Sequence, residues 1–125
     1  MNGATLYEIP YFVDNRGALN VLEIARELPF VCRRIFYTYT VPEGQVRGEH
    51  AHKACEQFLI SLRGKVSVSV DDGDHRDEFM LDSPSKGLWL PSGSRPFISP
   101  SSRWSLRCAL RSGRWVRHVG LRPPT

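Results

Sequence analysis

Arg47-Gly48-Glu49-His50-Ala51-His52-Lys53, running on through Glu56-Gln57-Phe58-Leu59-Ile60-Ser61-Leu62 to Gly64, is the stretch on which the reading of this 125-residue chain turns. Extended chain alternates its side chains between two faces. His50, His52 and Glu56 are therefore expected to point one way, while the run from Phe58 pairs into a buried sheet. Two imidazoles then face one cavity, with Cβ atoms roughly 6.5–7 Å apart. Such a pair is either a metal clamp or an acid/base couple, and acid/base chemistry is the preferred reading.

The flanking sequence reads as strands and turns. Lys65-Val66-Ser67-Val68-Ser69-Val70 alternates strictly, valine inward and Ser or Lys outward, and marks a half-buried strand. Asp71-Asp72-Gly73-Asp74 is a hairpin signal, and Arg76-Asp77-Glu78-Phe79-Met80-Leu81 returns from it. Upstream, Leu6 to Val13 is an edge strand interrupted by Pro10, and Ala18 to Ile24 follows the Asp14-Asn15-Arg16-Gly17 turn as the next strand. Ala25 to Phe30 is too short and proline-limited for a helix, and Arg33 to Val41 is an aromatic, β-branched strand. Leu88-Trp89-Leu90-Pro91 is one more. Short strands without a convincing helix define an all-β antiparallel sandwich or small barrel. Gly44-x5-His50-x-His52, Gly64 and Gly87-x3-Pro91-x-Gly93 have the spacing of a cupin-type jelly roll.

Charge divides the chain. Residues 1–91 hold ten Lys and Arg against all thirteen Asp and Glu, a net of −3, whereas residues 92–125 hold seven Arg, no Lys and no acid. The tail also carries seven Ser, four Pro and two Trp, and its alternation is poor. The expected organisation is thus one domain over 1–91 with incomplete C-terminal strands, followed by an Arg/Ser/Pro-rich extension over 92–125 that is disordered or the product of a shifted reading frame. No nucleic-acid motif accompanies the basic tail, so no nucleic-acid partner is expected. Three cysteines, Cys32, Cys55 and Cys108, lack C-x-x-C spacing and are read as thiols. Without a leader-like N-terminus or a run of about 18 apolar residues, no membrane association is expected and the protein is placed in the cytoplasm.

Arg47-Gly48-x-His50-Ala51-His52-Lys53 resembles the family of dTDP-sugar 3,4-ketoisomerases, the WxcM-like, RmlC-like cupins. The resemblance extends through Asp14-Asn15-Arg16-Gly17, Pro29-Phe30, Arg34-Ile35-Phe36-Tyr37 and Glu56-Gln57-Phe58-Leu59-Ile60. It continues over Gly64-Lys65-Val66 and Asp71-Asp72-Gly73, and ends with Phe79-x-Leu81-Asp82-Ser83-Pro84-x-Lys86-Gly87-Leu88. It covers about residues 5–91 and stops at Pro91. It implies a homodimeric jelly roll that moves the ketone of a dTDP-linked 4-keto-6-deoxyhexose from C4 to C3 without a cofactor.

Moving that ketone requires removing the acidified C3 proton and delivering a proton to C4, and histidine titrates nearest neutral pH. By the resemblance His50 and His52 take the base and proton-shuttle roles. Arg47 stabilises oxyanion or diphosphate charge through its planar fork, and Tyr37 hydrogen-bonds the sugar carbonyl. Arg16 is the candidate for the nucleotide of a neighbouring subunit, Lys53 for phosphate, and Trp89 for either barrel filling or stacking on thymine. A metal-dependent cupin is the alternative, and an inactive sugar-nucleotide-binding relative is another. The metal reading wants a glutamate after the second histidine and a later third histidine. Glu56 is one residue early, Gln57 occupies the more usual place, and Pro96 stands where the third histidine belongs.

Overall fold

The alternating valines build one wall of the core. In the computed structural model, which describes residues 3–40, 56–71, 73–100 and 106–112, Val66, Val68 and Val70 are buried. They lie on β6 (Val66–Asp71), flanked by β7 (Arg76–Leu81) and β9 (Arg95–Pro100) in a three-stranded sheet of order β7-β6-β9. The facing sheet contains β1 (Thr5–Glu8), β8 (Lys86–Leu90), β5 (Gln57–Arg63), β10 (Leu106–Arg111) and β4 (Arg34–Tyr39), in that order. β2 (Tyr11–Asp14) and β3 (Gly17–Asn20) form a separate hairpin. All strand pairs are antiparallel.

Between the two larger sheets, Leu59, Leu88, Leu90 and Ala109 meet Val66, Val68, Val70, Leu81 and Ile98. A second apolar layer covers the other face of the five-stranded sheet. There Phe58, Ile60 and Leu110 pack with Ile9 and Leu28 from the N-terminal segment, and with Tyr7, Leu22, Phe30, Cys32, Trp89 and Cys108. β5 is consequently buried on both sides, with Gln57 to Ser61 all closed to solvent, as a continuous apolar run in a central strand requires.

Several boundaries differ from the sequence expectation. The strand expected to reach Ile24 stops at Asn20; Val21 N–H adds one more bond in register, to the Pro10 carbonyl, before Leu22 enters the outer layer. A single helical turn, Ile24–Glu27, forms where no helix was expected; it ends as Leu28 turns extended ahead of Pro29.

The larger correction concerns residues 92–125. The fold does not end at Pro91: β9 pairs with β6 along six residues, and β10 sits between β5 and β4 with six partners on each side. Proline in β9 was a poor strand signal, yet β9 is an edge strand, where a missing N–H leaves no ladder bond unmade. Arginine in β10 broke the alternation, yet the backbone ladder is indifferent to it and the Arg111 guanidinium lies over the Phe36 ring. Residues 113–125 lie outside the described set.

Gly87 faces Ile60 across the β8–β5 ladder, and the Phe58 ring fills the space where its side chain would stand. Phe58 is itself buried, so it has nowhere to go. Gly87→Ala is expected to destabilise the protein by about 1–3 kcal/mol in urea unfolding. Phe58→Leu added to Gly87→Ala is expected to recover part of that loss.

Candidate functional site

Arg47, His50, His52 and Lys53 lie outside the described residues, so the site is built from the frame they join. β4 and β5 both run antiparallel to β10 and hence parallel to each other. Leu106 pairs with Tyr39 and Arg63 at one end of the sheet, and Arg111 pairs with Arg34 and Gln57 at the other. The connection over 41–55 therefore leaves β4 at one end and enters β5 at the opposite end, about 17 Å away along β10.

The interior face carries polar residues at both ends, Gln57 and Arg111 at the entry end and Ser61 and Arg107 toward the other. Gln57, 2% exposed, accepts a hydrogen bond on Oε1 from Arg111 Nε at 2.9 Å. The Arg111 guanidinium carbon stands 4.4 Å from the Phe36 ring centroid, and that of Arg34 stands 5.5 Å from the same centroid. Two turns of the pleat along β10, Arg107 is buried on the same face as Arg111. Guanidinium over an aromatic face is a favourable pairing, and planar donors of this kind suit oxyanions and phosphates.

One residue earlier the chain faces the other way. Glu56 shares its parity with Phe58 and belongs to the outer layer, where Trp89 Nε1 donates to Glu56 Oε1 at 3.1 Å. The Glu56 N–H donates to Ser112 Oγ at 2.8 Å, and Ser112 N–H returns to the Glu56 carbonyl at 3.1 Å. This arrangement bears on the metal reading. The carboxylate of Glu56 is engaged with an indole on the outer layer, and Gln57, which does point inward, offers a neutral amide oxygen already taken by a guanidinium. Neither supplies a carboxylate ligand to the interior. Among the described residues no three His, Cys, Asp or Glu side chains converge.

The remaining candidates are dispersed. Tyr37 is paired with Cys108 on the outer face of β4, 62% exposed, with its ring stacked on Tyr39 at 6.2 Å. It is thus on the opposite side of the sheet from Gln57 and Arg111. Trp89 packs in the outer layer and does not fill the space between the sheets. Arg16 sits at the tip of the β2–β3 hairpin, where its guanidinium meets Asp14 Oδ2 at 2.6 Å and its N–H meets Asp14 Oδ1 at 2.8 Å. These bonds hold the Asp14 carboxyl below the usual carboxylate range. The sequence reading missed Arg107, Arg111 and Ser112 because it set the tail aside; the nearest signal was Gln57, an odd polar residue at the head of an apolar run.

A jelly roll of antiparallel sheets with a polar interior end defines the class, and the cupin-type fold is borne out by solved structures. A 3,4-ketoisomerase from Helicobacter canadensis superposes with a TM-score of 0.88 at 29% identity, over 93% of this chain and 87% of that one. The TDP-quinovose 3,4-ketoisomerase WlaRB from Campylobacter jejuni gives 0.86 at 28% identity, over 93% and 89%. The TDP-4-oxo-6-deoxy-α-D-glucose-3,4-oxoisomerase of Aneurinibacillus thermoaerophilus is 40% identical over 78 residues, 62% of this chain and 56% of that protein's length. The family model for FdtA (WxcM-like, C-terminal) matches residues 2–108, and the chain belongs to that family. The match runs well past Pro91, in step with the strands found there.

Cys108 is half-buried in the outer layer, and burial pushes its thiol up, with the neighbouring Cys32 adding to the effect and Arg107 opposing it. A raised thiol pKa means less thiolate at neutral pH. Peptide-resolved mass spectrometry is expected to show Cys108 alkylated by iodoacetamide more slowly than free cysteine at pH 7.5, with the gap narrowing as pH rises above 9.

Proposed function

We propose that this protein is a sugar-nucleotide 3,4-ketoisomerase acting on a dTDP-linked 4-keto-6-deoxyhexose. The observation that carries this reading is the 40% identity to an oxoisomerase named for that reaction. His50 and His52 are the proton-transfer pair. One removes the C3 proton while the C4 oxygen gains a proton, giving an enediol. C4 is then protonated as the C3 hydroxyl loses its proton and becomes the ketone. Arg47 steadies the charge that develops on oxygen, and Lys53 contacts phosphate. No separate oxidant or reductant enters this balance. Nucleotide-sugar chemistry places the protein in the cytoplasm; no helix among the described residues is long and apolar enough to cross a membrane.

The test is isomerisation of dTDP-4-keto-6-deoxyglucose followed by NMR. Wild-type protein is expected to yield the 3-keto product with chelator present, and His50→Asn to lose about 10²–10⁴-fold in rate, the usual worth of a positioned acid/base group. Absence of product from wild type overturns the reading, and loss of turnover with chelator restores the metal alternative.

The working unit is a homodimer. Tyr11, Phe12, Val13 and Leu19 on the β2–β3 hairpin are between 60% and 67% exposed, and a lone two-stranded hairpin is marginal in water. Ile35, Tyr37 and Tyr39 expose a second apolar strip on edge strand β4, and such patches are covered in working proteins. Tyr37 belongs to this surface, and Arg16, at the hairpin tip, is carried toward the nucleotide of the neighbouring subunit. Sedimentation is expected to show a dimer that the Phe12→Asp/Leu19→Asp variant breaks. Arg16→Ala is expected to raise KM by about tenfold with kcat little changed, as loss of uniform binding does.

A further inference from the structure

One rung of the five-stranded sheet sets Arg34, Arg111 and Gln57 side by side, on β4, β10 and β5 in that order. All three belong to the interior face, because they share the parity of Phe36, Ala109 and Leu59, which pack between the sheets. Residues directly opposite each other in an antiparallel ladder have Cβ atoms about 4.5–5.5 Å apart, and like charges placed there repel. Arg34 and Arg111 are such a pair, and they lean on one ring: their guanidinium carbons stand 5.5 and 4.4 Å from the Phe36 centroid. Phe36 is two residues on from Arg34 and pairs with Ala109, so both guanidiniums approach the ring from the same end of the strands. Gln57 Oε1 accepts a hydrogen bond from Arg111 Nε at 2.9 Å, which fixes the plane of that guanidinium. Arg34 and Arg111 are half-buried and Gln57 is closed, so the pair is reachable from solvent with the amide behind it.

We propose that Arg34 and Arg111 form a phosphate clamp whose ligand is the diphosphate of the sugar nucleotide. A polyanion between two guanidiniums turns their mutual repulsion into attraction toward a shared partner. The planar fork of each meets phosphate oxygens two at a time. Phe36 and Gln57 hold the side chains against a ring and an amide before the ligand arrives, so less rotamer freedom is lost on binding. Arg107, buried farther along the same face opposite Ser61, adds to the positive potential there. The identity of the ligand rests on the isomerase reading; the clamp rests on the ladder register and the shared ring. Because one arginine comes from β4 and the other from β10, the clamp exists only once those two strands have paired.

The test is isothermal titration calorimetry of the full chain with pyrophosphate, dTDP and thymidine. Pyrophosphate and dTDP are expected to bind wild-type protein. Arg34→Gln and Arg111→Gln are each expected to weaken both by about 10–100-fold, as loss of hydrogen bonds to a charged group does. Arg34→Lys and Arg111→Lys keep the charge and a long stem but lose the fork, and are expected to weaken both by about tenfold; they decide the matter if the glutamine variants fail to fold. Thymidine, which carries no phosphate, is expected to bind wild type and variants alike. Wild-type protein that binds neither pyrophosphate nor dTDP, lysine variants that bind them as wild type does, or an equal loss for thymidine overturns the clamp. Loss of pyrophosphate binding with dTDP binding unchanged marks a site for a free oxyanion and overturns the assignment to the sugar nucleotide. Wild-type protein that fails to isomerise counts against the reaction alone, since the titrations are made without turnover.

Discussion

The ladder that β10 makes on both its edges is the constraint from which the architecture follows. Six residues pair with β4 and six with β5, so one strand closes the five-stranded sheet on the side of the polar interior. Remove it and the sheet divides into β1-β8-β5 and an isolated β4, each with a raw edge. Its inward face carries Arg107, Ala109 and Arg111 and its outward face Cys108 and Leu110, so the strand also belongs to both apolar layers.

Two-sided burial of β5 then sorts chemistry from structure. A strand covered on one face leaves the other wet, but Phe58 and Ile60 are capped by the N-terminal segment just as Leu59 is capped by the facing sheet. Neighbouring residues at its head accordingly live in different layers. Gln57 meets Arg111 between the sheets, and Glu56 meets Trp89 outside them. A one-residue slip would exchange these roles and put a carboxylate against the interior guanidiniums.

Much of the fold was legible where one residue type decided the outcome. The valines of β6 could face only inward, Gly73 could only turn, with the Asp71 carboxylate accepting its N–H, and Phe58-Leu59-Ile60 could only be buried. β9 and β10 were illegible because their residues satisfy tertiary rather than local demands. Proline is excused by an edge that only the finished sheet defines, and Arg111 by Phe36, far away in sequence. At the described interior end, Gln57 was conspicuous as a residue type, but its bond to Arg111 was not legible. Parity shows that Glu56 and Gln57 diverge, but which face is the interior depends on where the N-terminal segment packs. The histidines rest on the resemblance and on their spacing, and the proposal that they move protons stands on those two grounds.

The place of β10 in the order of synthesis carries a kinetic consequence. Among the described strands β10 is made last, and it lies between β5 and β4, so each of those strands keeps an open edge until residues 106–111 emerge. Long-range antiparallel closure of this kind is slow, and open edges are sticky while it proceeds. The nascent chain is thus most vulnerable in the interval between completion of β8 and arrival of β10. Whether it reaches the native state is decided there, in competition between closure and pairing with other chains.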